Sequence, residues 1–418
     1  MDNDNKVVNK KIIGILISCI IAVVSESSIC PNTLFQKIVF CILALLGVYY
    51  IIFFCKEKNS KKFVYTFLLF ALPFVLASVY TVTYCLIKGD LYGLSLQSIT
   101  TSIYIIVDVM VAVGVVFIWK YDSIKIVSDA VIISYFITLF MSVFRHGIGQ
   151  LWLYITARNK YPDWYFSGDF ERHDIGVAVV PIIVFLLSEI IYKDRWKNIE
   201  YWIRIALCMM ILFLCGKRSA YMGLLVGIGL VTLYKVIKNK KYLLSCLIIG
   251  FSLFGSFMYV YLIKAGILHN IFDSLGINSM GRLAVYDWFS NQYKLSILYF
   301  GKGFQYIHRY MIMGLGSELV NKFGYLHNSI LQIYIEIGFI GFWIWFGIWL
   351  ILNPFIIKRN IGKSTARFYI CMIVSMIVIC TVDNVMTYPL YQICMFIVVI
   401  QHANAEKDKY YEKDLFAN

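Results

Sequence analysis

The chain carries no Walker-type phosphate loop, no His-Glu-x-x-His pair and no Gly-x-Ser-x-Gly turn. These absences argue against nucleotide hydrolysis, a zincin-type metal centre and a serine-hydrolase elbow. Gly301-Lys302-Gly303 lacks the residues that would continue a nucleotide loop. Eleven cysteines are present without any Cys-x-x-Cys spacing. Most lie inside apolar runs (Cys19, Cys41, Cys208, Cys371 and Cys394 are examples), where a thiol behaves as a small apolar side chain. Neither a metal nor a cofactor is therefore expected, and the energy for any reaction has to come from an activated substrate. No internal repeat is visible, which gives no support to an inverted-repeat transporter. The first apolar run follows Lys10-Lys11 but has no Ala-x-Ala type site after it, so no cleaved signal peptide is expected.

Apolar residues are what the chain has in excess. It is 60% hydrophobic and 17% aromatic over 418 residues, with a mean hydropathy of +0.75. A soluble domain of that size could not bury so much apolar surface, so the class is a polytopic membrane protein. Its 38 Lys and Arg against 24 Asp and Glu give a net charge of +14. In a soluble protein that excess would suggest nucleic-acid binding. Here the cations mostly flank apolar runs, which is how membrane proteins set their orientation, and no nucleic-acid partner is expected.

Twelve apolar runs can be placed, at 11–26, 34–55, 63–87, 99–119, 124–143, 174–192, 201–215, 219–237, 242–264, 328–357, 368–383 and 386–401. Most reach the ~20 residues that a spanning helix needs. The first, seventh, eleventh and twelfth are short or marginal. The expected fold is all-α, with about 12 transmembrane helices. With the N-terminus in the cytoplasm, the inner loops hold Lys6, Lys10 and Lys11, Lys56 to Lys62, Lys120 and Lys125, Lys193 to Lys197, Lys235 to Lys241, and Lys358 to Arg367. That is a consistent positive-inside pattern, with both termini cytoplasmic. The expected division is helices 1–9 over 1–265, an outer loop over 266–326, helices 10–12 over 327–402 and a cytoplasmic tail over 403–418.

Against this bias, cations collect at three outer places. They are Arg145, Arg158, Lys160 and Arg172 in the 144–173 loop, Lys217 and Arg218 in the 216–219 turn, and Arg282, Lys294, Lys302, Arg309 and Lys322 in the long 265–326 loop. His146, His173, His269, His308 and His327 are outer too, leaving His402 inside. Solvated loops carry polar residues for no functional reason, but two other outer turns, near 27–33 and 384–389, have no cation. In the long loop, Ile271-Phe272, Leu283, Tyr286, Trp288-Phe289, Tyr293 and Leu295 interleave with polar residues, as in short amphipathic helices at a membrane surface. Gly301-Lys302-Gly303 marks a turn between them.

Three pieces carry chemistry. Gly216-Lys217-Arg218-Ser219-Ala220 joins two spanning helices with almost no loop, so Arg218 opens a helix where free N–H groups also favour an anion. Arg suits bidentate phosphate contact, although an arginine snorkelling to lipid headgroups has the same signature. Gly281-Arg282 opens the segment Leu283-Ala284-Val285-Tyr286-Asp287-Trp288 and offers a second guanidinium. His327-Asn328-Ser329 heads a helix that continues to Glu336 and Gly338. His327 is either a neutral base near pH 7 or a polar helix start. Glu336 lies nine residues on, so it falls on the opposite face and ~13 Å deeper, where it should face protein or a polar cavity.

In this order the pieces resemble the O-antigen polymerase and ligase superfamily of bacterial envelope glycan assembly. The resemblance rests on Arg218-Ser219-Ala220 before a Gly-rich helix, the Gly281 to Trp288 segment, the Gly301 to Gly303 turn, and the helix with His327, Asn328, Glu336, Gly338 and Gly341. It covers roughly 210–350; the first two hundred residues are similar in topology alone. It implies a GT-C-like, metal-independent, inverting glycosyltransferase of the bacterial cytoplasmic (inner) membrane, with its active site on the outer face. The implied donor is an undecaprenyl-diphosphate-linked oligosaccharide, with Arg218 and Arg282 on the diphosphate and His327 as base. Lys217, Asn328 and Glu336 are auxiliary. Family members often place an Asn in a Gly/Pro-rich stretch before the helix that begins here near Asp174. This chain has Glu171-Arg172-His173-Asp174 instead, so Arg172 and His173 are auxiliary contacts. The expected activity is a Wzy-type polysaccharide polymerase for O-antigen or capsule. The alternatives are a ligase that moves glycan onto lipid A core or another surface acceptor, and a lipid-oligosaccharide flippase. Membrane lipid and a chain-length regulator are the other candidate partners.

Overall fold

The structure, a computed structural model, describes residues 14, 17–18, 33–54, 58–90, 93–157, 170, 172–237, 239–276 and 281–415. The run expected at 11–26 lies almost wholly outside these residues, as do Arg158, Lys160, Glu171, Lys238 and Ser279-Met280. In chain order the helices are α1 (Thr33–Phe54), α2 (Lys58–Leu68), α3 (Leu72–Lys88), α4 (Leu94–Trp119), α5 (Ser123–His146), α6 (Ile148–Ala157), α7 (His173–Lys193), α8 (Ile199–Cys215) and α9 (Arg218–Val236). They continue as α10 (Lys241–Lys264), α11 (Ile267–Ser274), α12 (Arg282–Ser290), α13 (Tyr306–Ile312), α14 (Glu318–Phe323), α15 (Ser329–Gly347), α16 (Asn353–Asn360), α17 (Lys363–Cys380) and α18 (Pro389–Leu415). No strand occurs among the described residues.

Seven helical stretches among the described residues are long and apolar enough to cross a membrane. One of them, Leu94–His146, holds both α4 and α5, joined by a 3₁₀ turn at Lys120–Asp122. The runs expected at 34–55, 201–215 and 386–401 are helical as well, as α1, α8 and α18. The described residues are therefore helices joined by turns and loops, and the chain is a membrane-integral protein. Among the described residues, the long loop expected over 266–326 contains four short helices, α11 to α14.

The chain divides into two compact units. The first comprises residues 1–64, 107–236 and 388–418, and the second 65–106 and 237–387. In the first, α7 is buried along nearly its whole length and packs against α8, α9 and α18. Gly176 lets α7 approach the end of α8, since a Cβ there would lie 2.8 Å from Cys215 Cβ. Gly47 of α1 and Gly114 of α4 touch backbone to backbone, a Cβ on Gly114 falling 2.6 Å from Gly47 Cα. Such small-residue contacts let helices associate where no hydrophobic force separates protein from lipid. The far end of α8 is tied by ion pairs. Arg204 grips Asp129 through two bonds of 2.9 Å, and Lys125 lies 2.8 Å from Glu200. These charges fall where the inner side was expected. Asp108, deep in α4, is buried with one carboxylate oxygen unpartnered.

In the second unit three helix ends converge: the end of α10, the end of α17 and the start of α15. Tyr259 Oη donates to Thr381 O at 2.5 Å, and Ser329 N donates to Asp383 O at 3.1 Å. The α15 helix is broken at Gly338, whose φ of 73° and ψ of −173° lie outside any helix. Two sites are built on α15, one at its start and one at this break.

Candidate functional site

The start of α15 is fixed by hydrogen bonds from a turn after α17. Asn328 caps the helix through Oδ1, which accepts from Leu331 N at 3.0 Å. Its own N–H donates to Asn384 Oδ1 at 3.0 Å, and Ser329 Oγ donates to Asp383 O at 3.1 Å. This anchoring holds His327 in the left-handed region at φ 51°, which histidine tolerates better than most residues but which remains costly. The Tyr286 hydroxyl, from α12, donates to His327 O at 3.1 Å.

Around that backbone sits a small charged cluster. His327 Nδ1 lies 3.9 Å from Asp383 Oδ1; the imidazole is a quarter exposed and the carboxylate fully buried. Asp383 Oδ1 also accepts from Asn384 N at 2.9 Å. Arg282 opens α12 directly after Gly281, whose φ of 81° suits glycine. Arg282 is four residues from Tyr286, hence on the same helix face. Burial pushes the Tyr286 phenol up to about 12, while the Arg282 charge and a hydrogen bond with Asn328 pull it down and Asp383 raises it. At neutral pH that phenol is thus a neutral donor. The cluster also leaves buried polar atoms without a partner: His327 Nδ1, Arg282 Nε and Asn384 Nδ2. Unsatisfied groups are expensive when buried, and several together point to a ligand or a proton they are kept for.

The second site, at the α15 break, is different in kind. The loop Tyr299 to Gly303 inserts into the gap at Gly338. Phe339 N donates to Tyr299 O at 2.8 Å, and Gly303 N and Lys302 N donate to Glu336 O at 2.8 and 3.1 Å. A Cβ on Gly338 would come within 2.3 Å of Tyr299 O, and one on Gly301 within 2.5 Å of Glu336 O. The Glu336 carboxylate is fully buried and takes three donors: Gln305 N at 2.9 Å, Ile307 N at 3.1 Å and Gln332 Nε2 at 3.0 Å. It thereby caps the start of α13. The Gly301-Lys302-Gly303 turn and the Glu336/Gly338 pair, separate features in the sequence, are one locking device.

In the first unit, Gly216 ends α8 in the left-handed conformation at φ 65° and α9 begins at Arg218. Lys217, not Arg218, is the buried cation of this turn, at 6% exposure, and its Cβ lies 3.6 Å from the Cβ position of Gly176 in the first turn of α7. Arg218 is exposed. Arg172, directly before α7, is buried, whereas His173 is exposed. The structure thus brings Lys217 beside the start of α7, and separately brings Arg282, His327 and Asn328 together. Glu336 is placed away from His327, as its helical spacing requires.

Residues 203–346, about a third of the chain, match the family model for O-antigen ligase. That match places this segment in the O-antigen polymerase and ligase superfamily. No curated protein and no solved structure shows a significant match to the chain. The superfamily segment contains Lys217, Arg218, Arg282, His327, Asn328 and Glu336, but it ends before Asp383 and Asn384. Those two residues were missed in the sequence because Asp383 closes an apolar run, and their only signal is the polar break Thr381-Val382-Asp383-Asn384.

Proposed function

We propose that the protein is a polysaccharide polymerase, moving a growing glycan from undecaprenyl diphosphate to a lipid-linked repeat unit at the outer face of the cytoplasmic membrane. The observation that carries this is the cluster at the start of α15, which sets a guanidinium, an imidazole and a buried carboxylate around unsatisfied polar atoms within or beside the superfamily segment. His327 Nδ1 faces the buried Asp383 carboxylate at 3.9 Å, a distance that closes to a hydrogen bond when substrate orders the site. A proton held on Nδ1 leaves Nε2 as the base. That nitrogen takes the proton from the acceptor hydroxyl, whose oxygen attacks the anomeric carbon of the donor sugar. The bond from that carbon to the diphosphate oxygen breaks on the opposite face, giving inversion, and the electron pair leaves with the diphosphate. Arg282 stabilises the growing charge, the task that a metal performs in other transferases. Arg218 as a second guanidinium, with Lys217, Arg172 and His173 as auxiliaries, rests on the sequence resemblance.

An apolar cleft of about 310 Å³ in the second unit runs along the α15 break, lined by Leu76, Tyr80, Phe300, Ile340 and Ile344 among others. It suits the hydrocarbon of a carrier lipid. The ligase reading shares every one of these groups. Polymerase is preferred on the sequence resemblance, which outside roughly 210–350 is one of topology alone, as expected where the rest of the chain must adapt to varied sugars. The flippase reading draws on ionisable groups within spanning helices; Asp108 is one, but Glu336 is committed to backbone amides. The gel pattern of surface polysaccharide from a deletion strain separates the three. Single-repeat material supports the polymerase. Polymer left on carrier lipid identifies a ligase, and loss of all outer-leaflet repeat units identifies a flippase.

A further inference from the structure

Two residues before His327, the Tyr325 ring stands half in solvent, at 45% exposure. It is not a loose side chain. One face is stacked on the His308 imidazole of α13, with ring centroids 4.4 Å apart and planes 14° from parallel. His308 is in turn held by its Nδ1, which lies 3.4 Å from Gly324 O. Burial lowers the His308 pKa, so the imidazole is neutral near pH 7 and stacks as an uncharged ring. Gly324 itself ends α14 in the left-handed conformation, at φ 64°, and so turns the chain from Phe323 toward Tyr325. Phe323 packs edge-on to His327 at 6.3 Å, and its Cζ lies 3.1 Å from the Cβ position of Gly281, next to Arg282. The stacked pair is thus tied through Gly324 to the short segment whose Phe323 packs on His327 and beside Arg282, all within the second unit.

We infer that Tyr325, backed by His308, is the stacking platform for a pyranose ring of the acceptor glycan. The inference rests on the glycosyl-transfer reading for the identity of its ligand. A flat ring with one face already packed and the other open loses little freedom on binding. The aliphatic C–H face of a sugar is the ligand that matches it, since an aromatic face is electron-rich and apolar. Two residues of chain span at most ~7 Å between Cα atoms, and the proposal sets the neighbouring sugar, not the stacked one, at His327. A small hydrophobe would suit the ring as well; the glycosyl-transfer reading, with Arg282 and His327 in the same unit, is what favours a polyhydroxylated ligand. Sugar acceptors serve polymerase and ligase alike, so the platform does not depend on choosing between them.

The test uses full-length protein in detergent or nanodiscs, with lipid-linked repeat unit extracted from a strain lacking the protein. A second probe is the free oligosaccharide released from that lipid by mild acid. Tyr325→Ala should raise the acceptor KM about tenfold with kcat nearly unchanged, and should weaken binding of the free oligosaccharide in saturation-transfer NMR by the same factor. Tyr325→Phe keeps the ring and should stay near wild type in both. His327→Ala should lose transfer yet still bind the oligosaccharide, which separates the platform from the chemistry. If wild type transfers glycan while Tyr325→Ala retains the wild-type KM and binding, the ring is only an interfacial tyrosine of the membrane belt and the inference fails alone. If wild type neither transfers nor binds glycan, the functional reading fails and the platform with it.

Discussion

The two ends of one stretch of α15 show how differently a buried polar group can be treated. At Glu336 three donors reach the carboxylate, two of them backbone amides, and the Gly301 and Gly338 backbones pack against each other with no room for a methyl group. At His327 the ring nitrogen facing Asp383 stops at 3.9 Å, and Arg282 Nε and Asn384 Nδ2 are buried without partners. A satisfied carboxylate in a closed site fixes a conformation, whereas an unsatisfied cluster beside a quarter-exposed imidazole is poised for something that arrives later. Both lie in the segment that matches the superfamily, so shared sequence alone would not tell scaffold from chemistry.

The largest effect should come from the scaffold. Gly338→Val places its Cβ 2.3 Å from a backbone oxygen that cannot move without unseating the inserted loop. A loss of about 4 kcal/mol or more is expected, enough to remove folded protein from the membrane. Monodisperse Gly338→Val with a wild-type melting temperature would show that the two glycines do not lock the break. Next comes Arg282→Ala, which should leave the melting temperature near wild type and reduce transfer by ~10²–10³. Arg282→Lys should rescue it only in part, because an ammonium is a point charge and not a planar fork. Arg218→Ala is expected to behave alike if Arg218 is the second guanidinium. The burial of Lys217 predicts that Lys217→Ala lowers stability rather than rate alone. Equal rates for Arg282→Ala and wild type would remove the leaving-group role.

Asp383→Asn should be milder, about 10–100-fold, since in the proposed mechanism it alters a group that orients the base and touches no substrate. The amide cannot hold the Nδ1 proton as a carboxylate does, so the pH–rate profile should shift along with kcat. A rate loss with an unshifted profile would make Asp383 purely structural. The smallest effect concerns His308. Its folded pKa is lowered by burial, so the stability it contributes is present above about pH 6.5 and is lost as pH falls through the lowered folded value. Melting temperatures at pH 7.5 and pH 5 should differ slightly more in wild type than in His308→Gln, and an identical difference would mean that the stack is not felt.

Much of this was legible in the sequence, for definite reasons. Apolar runs near twenty residues long have few structural options in lipid, so the helices fall where the runs lie. Gly216 before Lys217-Arg218 and Gly281 before Arg282 mark helix starts through backbone geometry that glycine permits. The Asn328 cap follows from the preference of such side chains for that position. What the sequence hid is tertiary. The approach of Asp383 to His327 joins residues 56 positions apart by a contact that no local pattern encodes. The joining of Gly301 to Gly338 is equally non-local, so Glu336 could be placed by its depth but not by its partners. The burial of Lys217 in preference to Arg218 depends on the approach of α7, which helix-start chemistry does not register.

The central claim is that the unsatisfied end of α15 carries the proton transfer and the satisfied break does not. It is tested by single-turnover glycan transfer in vitro, in chelator, with purified wild type, His327→Gln and Glu336→Gln and extracted lipid-linked repeat unit. An amide at 327 can hydrogen-bond but cannot accept the proton, so His327→Gln should be inactive while still binding donor lipid, a loss of ~10²–10⁴. Glu336→Gln should lose about 1–3 kcal/mol of stability yet, once folded, transfer within a few-fold of wild type. Substantial transfer by His327→Gln, or a folded Glu336→Gln that is inactive, would contradict the account.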